Sequence, residues 1–171
     1  EPFKGLFTQG MVCHETYKDK NNNWVSPDEI EIRDKKYYLK NEPNSKVIVG
    51  PSESMSKSKK NVIDPENIIN NYGADSVRLF ILSDSPPEKD IQWSEQGMVS
   101  SFKFIQKLWI LHAKIKNKIS NKNDSINEDL ELNKFTNQLI NKVTKNLEKF
   151  NYNVMVANFY ETYNFMNKKL D

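Results

Sequence analysis

The spacing of apolar residues changes along this chain, and each change marks a different kind of element. Leu6-Phe-Thr-Gln-Gly-Met-Val-Cys13 is a short apolar run of the kind a buried strand shows. Gly10 interrupts it, either where backbone or ligand approaches closely or where the strand bulges. From Lys18 to Gly50 the short runs Trp24-Val25, Ile30-Glu31-Ile32, Tyr37-Tyr38-Leu39 and Lys46-Val47-Ile48-Val49 alternate with turn signals such as Asn21-Asn22-Asn23. That alternation predicts a small β-rich insertion. Its few apolar residues assign Trp24, Tyr37 and Tyr38 to its core, the other reading being a stacking platform for RNA.

Helical signals follow. Asp64 can cap a helix that has Pro65 at its first position and Glu66 near its positive end, and Tyr72-Gly73 closes it. Ala74 starts a second helix, apolar at Val77, Leu79, Phe80, Ile81 and Leu82 and predicted to be buried. Ser83-Asp-Ser-Pro-Pro87 stops it, because proline removes a donor and disfavours helix before it. Arg78, inside that apolar helix, is expected to be packed and paired.

Three longer stretches then carry a period near 3.6. Ser94 begins the first, with Met98, Phe102, Ile105, Leu108, Trp109, Leu111 and Ile115. Asn121–Asn127 reads as a polar loop. Leu130 to Phe150 repeats the pattern through Leu132, Phe135, Leu139, Ile140, Val143 and Leu147. Asn153 is the expected cap of the last, which bears Val156, Phe159, Tyr160, Tyr163, Met166 and Leu170. Three such helices joined by short links predict an antiparallel bundle, since each must bury its stripe on the others.

Composition narrows the picture only in places. With 171 residues, 37% of them apolar, the chain can bury one modest core or two small ones. The net charge of +2 hides an asymmetry: residues 101–171 carry 12 Lys and 7 Asp or Glu, so the C-terminal part is the basic one. Arg33 and Arg78 are the only arginines, so any phosphate contact there would fall to lysines acting as point charges. The bland reading of those lysines is a solvated helix surface. Cys13 alone excludes an internal disulfide and a zinc site of paired thiolates, which fits a reducing, cytoplasmic setting. No apolar run reaches membrane-span length, so no membrane partner is expected. His14 and His112 stand without partners at metal or relay spacing, and no metal site is assigned. The first residues read as mid-chain sequence and the last interrupt a helical pattern, so an internal fragment is expected.

The chemistry concentrates in Ser54–Lys60, Ser-Met-Ser-Lys-Ser-Lys-Lys, followed by Asn61-Val62-Ile63-Asp64-Pro65. Hydroxyls with Lys57, Lys59 and Lys60 offer donors and positive charge to a polyanion such as the phosphates of a nucleotide. A Ser/Lys tract is also an ordinary solvated linker, the reading that so short a motif favours when taken alone.

Ser54-Met55-Ser56-Lys57-Ser58 resembles the second signature of the class I aminoacyl-tRNA synthetases, Lys-Met-Ser-Lys-Ser, with Ser54 departing at the first lysine. Together with Leu6-Phe-Thr-Gln-Gly-Met-Val12, Tyr72-Gly-Ala-Asp-Ser-Val-Arg-Leu-Phe80 and Ser85-Pro-Pro-Glu-Lys-Asp-Ile-Gln-Trp-Ser94, the sequence is similar to the bacterial leucyl-tRNA synthetase family within that class. The match is densest over residues 1–12 and 50–111. The resemblance implies a mixed, mainly α fold: the end of a Rossmann-like α/β catalytic domain (1–17 and 51–63), a β-rich leucine-specific insertion (18–50), a helical stem-contact segment (64–93), and the start of a helical anticodon-binding domain (94–171).

It also implies leucine–tRNA ligase activity in a monomeric parent, with ATP and Mg2+, leucine and tRNA(Leu) as partners. Lys57 would be the catalytic contact on the phosphates, and Ser54, Met55, Ser56 and Ser58 would join it in binding ATP. Ser54 lacks the charge of the family's first lysine; Lys59 and Lys60 either compensate or face solvent. The first class signature, His-Ile-Gly-His, does not occur in this sequence, so the isolated chain is expected to be inactive. The competing reading is a catalytically inert RNA-binding helical module with a Ser/Lys linker.

Overall fold

The computed structural model describes residues 2–120 and 129–170, so the loop expected at Asn121–Asn127 lies outside the described residues. Two compact units emerge: residues up to Asn71 with Glu88–Ser94, and Tyr72–Pro87 with the residues from Glu95 onward. Mixed α/β structure, mainly helical, matches the expected fold class at that level. The expected stem-contact stretch 64–93 is thereby shared between the two units.

The first unit holds five strands: β1 (Val12–Lys18), β2 (Ile30–Arg33), β3 (Lys36–Leu39), β4 (Ile48–Ser54) and β5 (Ile91–Gln92). β1 is the middle of a three-stranded sheet, antiparallel to β4 and parallel to β5. The strand expected over Leu6–Cys13 begins only at Val12 and runs on to Lys18. Leu6 is 90% exposed, and Phe3, Phe7 and Met11 are exposed as well. Residues 2–11 are assigned to no strand, so apolar character alone does not make this stretch one. Its attachment is local: the Met11 amide donates to Asp90 Oδ1 at 2.8 Å. At Gly10 a backbone does approach, since a Cβ there would lie 2.1 Å from the Lys89 carbonyl oxygen. β5 carried no sequence signal of its own. It forms because the Ile91 and Trp93 amides reach the Met11 and Cys13 carbonyls, each at 2.8 Å.

β4 starts later and ends later than the run Lys46–Val49 predicts. It crosses Pro51, which has no N–H for a ladder, at a register shift between Glu15 and Tyr17 on β1. There the buried Thr16 hydroxyl donates to the Pro51 carbonyl at 2.9 Å. The bulge thus carries the strand past its proline to Ser54.

Between β1 and β4 the insertion forms a small core with Tyr17 of β1, made of Tyr17, Val25 and Val47, with Ile30, Tyr37 and Leu39 against it. Tyr37 is the expected core aromatic. Trp24 and Tyr38 are half-buried beside cations, Lys18 Nζ standing 4.3 Å from the Trp24 ring and the Arg33 guanidinium 5.5 Å from that of Tyr38. Trp24 makes a single bridge to Lys18 rather than a strand. Asp34 and Lys35, both at positive φ, close the two-residue β2–β3 hairpin, as the right-handed twist of the strands requires.

Helix α1 (Pro65–Tyr72) begins where Asp64 Oδ1 accepts the Glu66 amide at 3.0 Å. The second unit contains α2 (Ala74–Asp84), α3 (Glu95–Ser120), α4 (Leu130–Glu148) and α5 (Tyr152–Leu170). α5 packs against the other three. Phe104 of α3 stacks on Tyr160 at 3.8 Å between centroids, and Phe135 of α4 stacks on Phe165 at 3.9 Å. Buried positions include Phe80, Met98, Phe104, Leu111 and Val156.

Several expectations change here. α2 is only partly buried: Ser76 and Phe80 are inside, Leu82 is exposed, and Arg78 pairs with Asp75 at 2.7 Å in the open. On α3 the inward face runs through Ser101, Phe104 and Leu111, because α5 lies on that side, and Trp109 is 72% exposed. Asn153 lies inside α5 and does not cap it, since Tyr152 is already helical.

Asp129 supplies a cap the sequence reading did not assign. Its Oδ1 accepts the Leu132 amide at 2.9 Å, and its carboxylate meets Lys169 of α5 at 3.1 Å. The backbone bond first, and the Lys169 ammonium next, hold this carboxyl below the ordinary aspartate range. The folded chain therefore binds that proton less readily than the unfolded one. The stabilisation is complete above the usual aspartate value of 3.8 and fades as pH falls below it. Asp129→Ala should lower the urea midpoint of the second unit at neutral pH, and the gap to wild type should shrink on acidification below about pH 4. A pH-independent gap would assign the effect to packing.

Candidate functional site

The loop that follows β4 is built on the β1–β4 ladder. Ser54 is its last paired residue, opposite Cys13, and the Met55 amide donates to the Val12 carbonyl at 3.0 Å. The chain then leaves the sheet. Residues 57–60 form a turn closed by the Lys60 amide on the Lys57 carbonyl at 3.3 Å, with Lys60 at φ 55°. Ser56 stands at the start of this turn. Its hydroxyl accepts the Lys59 amide at 3.3 Å and lies 3.2 Å from the Ser58 hydroxyl. Short hydroxyl side chains bonding nearby backbone in this way compete with regular structure and favour turns.

The residue that ties turn to sheet is Asn61, which is completely buried. Its Oδ1 accepts the Ser56 amide at 2.9 Å. Its Nδ2 donates to the Glu53 carbonyl at 3.1 Å and the His14 carbonyl at 3.2 Å, with the Ser54 carbonyl at 3.5 Å. One carboxamide therefore spans β1, β4 and the loop. In the sequence it reads only as a continuation of the signature. Its only signal was a lone amide between the lysine run and the apolar pair Val62-Ile63.

The expected site residues are contiguous, and the structure gives each a distinct setting. Ser54 is exposed, its hydroxyl 4.0 Å from the Cys13 sulfur. Met55 and Ser56 are half-buried, and Lys57 and Ser58 are exposed. The lysines differ from one another. Lys59 forms an ion pair with Glu53, so much of its charge is answered within the protein. Lys60 is exposed, which agrees with the solvent-facing alternative. The Lys57 ammonium has no hydrogen-bond or ion-pair partner among the described residues. The loop thus combines a fixed backbone with a free cation, an arrangement suited to an anion arriving from solvent.

His14 and His112 join no catalytic group: His14 Nδ1 is 2.9 Å from the Glu15 carbonyl, and His112 lies edge-on to Trp109. Tyr17 is also spoken for, its phenol held above the ordinary range by burial and by the Glu15 carboxylate it bonds at 2.9 Å. A shallow depression of about 510 Å³ lined by Lys20 and Glu42–Lys46 includes no residue of the loop.

The family described as tRNA synthetases class I (I, L, M and V) matches residues 29–94, which take in the insertion, the loop, α1, α2 and β5. Over those residues the chain resembles the class I aminoacyl-tRNA synthetases. Within them it is similar to leucine–tRNA ligases: 46% identical to that of Bartonella tribocorum over 97% of this chain, and 44% identical to that of Rickettsia massiliae over 99%. It spans only 19% and 20% of those relatives' lengths. A solved structure of LeuRS from Agrobacterium radiobacter K84, in a ternary complex with tRNA and LeuAMS, matches 68% of this chain and 16% of its own, with a TM-score of 0.59 and 26% identity.

Asn61→Ala should strip partners from the Ser56 amide and the strand carbonyls at a buried point. Each buried group left unpaired costs about 1–3 kcal/mol. Hydrogen exchange at the Ser56 and Lys59 amides should accelerate, with exchange in α4 and α5 unchanged. Unaltered exchange at Ser56 would mean that the loop is held by other contacts.

Proposed function

We propose that this chain is part of a leucine–tRNA ligase, in which Ser54–Lys60 handles the phosphates of ATP. The observation that carries the reading is the free Lys57 ammonium on a braced turn, at the second lysine of the class signature. Alignment with leucine–tRNA ligases along nearly the whole chain supports the same assignment.

In the first half of such a reaction a leucine carboxylate oxygen attacks the α-phosphorus of ATP. The bond from that phosphorus to the bridging oxygen breaks, and pyrophosphate leaves with the electron pair. Negative charge grows on the leaving group. A cation whose contact tightens as that charge develops lowers the barrier, whereas one that binds substrate and transition state equally does not. Lys57 fills this role. Ser56 and Ser58 shape the turn, Ser54 and Met55 carry it off the sheet, and together they form the chain's share of the ATP site. Transfer of leucine to tRNA(Leu) would follow in the complete enzyme.

Magnesium would accompany ATP. Among the described residues no group of three or more His, Cys, Asp or Glu could hold a metal ion, so no residue of this chain is assigned to it.

The proposed domain layout follows the resemblance. Residues 1–17 and 51–63 are the end of a Rossmann-like catalytic domain, 18–50 the leucine-specific insertion, 64–93 the stem-contact segment and 94–171 the start of an antiparallel helical anticodon-binding domain. The apolar residues of the insertion, Val25, Ile30, Tyr37, Leu39 and Val47, gather on Tyr17 of β1, which supports its reading as a module built out from that strand. The lysines of α3 to α5 are then a tRNA-docking surface, salt-sensitive because point charges supply it. No helix among the described residues is long and apolar enough to cross a membrane, and a cytoplasmic, monomeric enzyme is the expectation.

Lys57→Ala in the full-length enzyme should slow adenylate formation about a hundredfold, the usual cost of removing one aimed donor, ~3 kcal/mol of barrier. Pre-steady-state measurement of pyrophosphate release reads it. An unchanged rate would remove Lys57 from the mechanism.

A further inference from the structure

We infer that Asn61 is a positioning residue that acts on the reaction through Lys57, an inference that rests on the reading of this loop as the ATP-phosphate loop. Asn61 has no access to solvent, so it touches no substrate itself. Its contacts run in two directions. The Nδ2 group is fixed by backbone carbonyls of two strands, from His14 on β1 and from Glu53 and Ser54 on β4. The Oδ1 atom holds the Ser56 amide, one residue before Lys57.

From Ser56 the constraint passes onward. The Ser56 hydroxyl accepts the Lys59 amide, and the Lys60 amide closes on the Lys57 carbonyl. Lys57 therefore leaves a backbone fastened before and after it, while its ammonium has no partner among the described residues. Among the described residues no side-chain contact aims this cation, and its direction is set by the backbone. Up to Met55 the backbone is registered to the sheet by the Met55 amide on the Val12 carbonyl, and at Ser56, the residue before Lys57, by the Asn61 carboxamide. Glu53 and Lys59 add a second link across the base of the loop, yet that ion pair is partly exposed and fixes flexible side chains, not the Ser56 amide.

A cation that must tighten on a leaving pyrophosphate is sensitive to small errors of place, and a misplacement of about 1 Å can cost roughly a hundredfold in rate. Overall ATP affinity is spread over the whole nucleotide and depends less on one contact. Loss of Asn61 should thus appear in the rate of the chemical step more than in ATP binding. Asn61→Asp is the informative replacement. It keeps the size and the acceptor for the Ser56 amide, but it turns the donor into an acceptor facing the strand carbonyls.

The test uses a full-length leucine–tRNA ligase carrying these residues, with Asn61→Ala, Asn61→Asp, Lys57→Ala and the double variant Lys57→Ala/Asn61→Ala. Single-turnover adenylate formation, ATP affinity and thermal midpoint are measured for each. Both Asn61 variants should slow adenylate formation roughly tenfold to a hundredfold, with ATP affinity within about twofold of wild type. The double variant should be no slower than Lys57→Ala, since two groups acting in series do not multiply. Where Asn61→Ala melts below the assay temperature, Asn61→Asp decides alone. Normal rates in the Asn61 variants beside a slow Lys57→Ala, multiplicative losses in the double variant, or a loss confined to ATP affinity would each overturn the inference. A normal rate in Lys57→Ala would overturn the phosphate-loop reading, and this inference with it.

Discussion

A carboxamide sealed from water must find all its hydrogen-bond partners inside the protein, and at Asn61 that requirement fastens the loop after β4 to the paired strands β1 and β4. Its partners are backbone groups of β1, β4 and the loop between β4 and α1. Backbone partners cannot rotate away as side chains can, so satisfying the amide fixes the loop's exit from the sheet. The bulge at Thr16 belongs to the same construction. By carrying β4 past Pro51 it lets Ser54 pair with Cys13, which brings the Glu53 and Ser54 carbonyls to the Asn61 amide.

Charge is distributed along the loop in a way that composition does not reveal. Three lysines within four residues read as one basic cluster, but the fold separates them. Lys59 is turned onto Glu53, Lys60 is exposed in a left-handed conformation, and Lys57 projects from a braced turn without a partner among the described residues. Ser54, which departs from the class signature, ends the strand and adds no charge. The family's two signature lysines are thus represented in this loop by Lys57 alone, with Lys59 already engaged.

Much of the architecture was legible where the local signal was chemical. Asp64-Pro65 marked the start of α1, the turn residues separated β2 from β3, and Ser85-Pro86-Pro87 ended α2. Tyr37 went to the insertion core because that unit has few other apolar residues. The misses came where tertiary contact decided. Leu6 and Phe7 are apolar but exposed and outside any strand, β5 owes its existence to carbonyls of Met11 and Cys13, and Trp109 faces out because α5 packs on the Phe104 side. At the site, the loop and Lys57 could be read from residue type, whereas Asn61 could not. An asparagine's role depends on which backbone groups surround it, and those lie 47 residues away at His14 as well as nearby.

Chemical modification of the loop lysines in the full-length enzyme, located by mass spectrometry with and without ATP, addresses the braced-loop and free-cation arrangement most directly. An amine-acylating reagent should modify Lys57 readily in the free enzyme and slowly under saturating ATP, while Lys59, held by Glu53, reacts slowly in both. Equal modification of Lys57 with and without ATP would contradict its assignment as the cation that meets the phosphates.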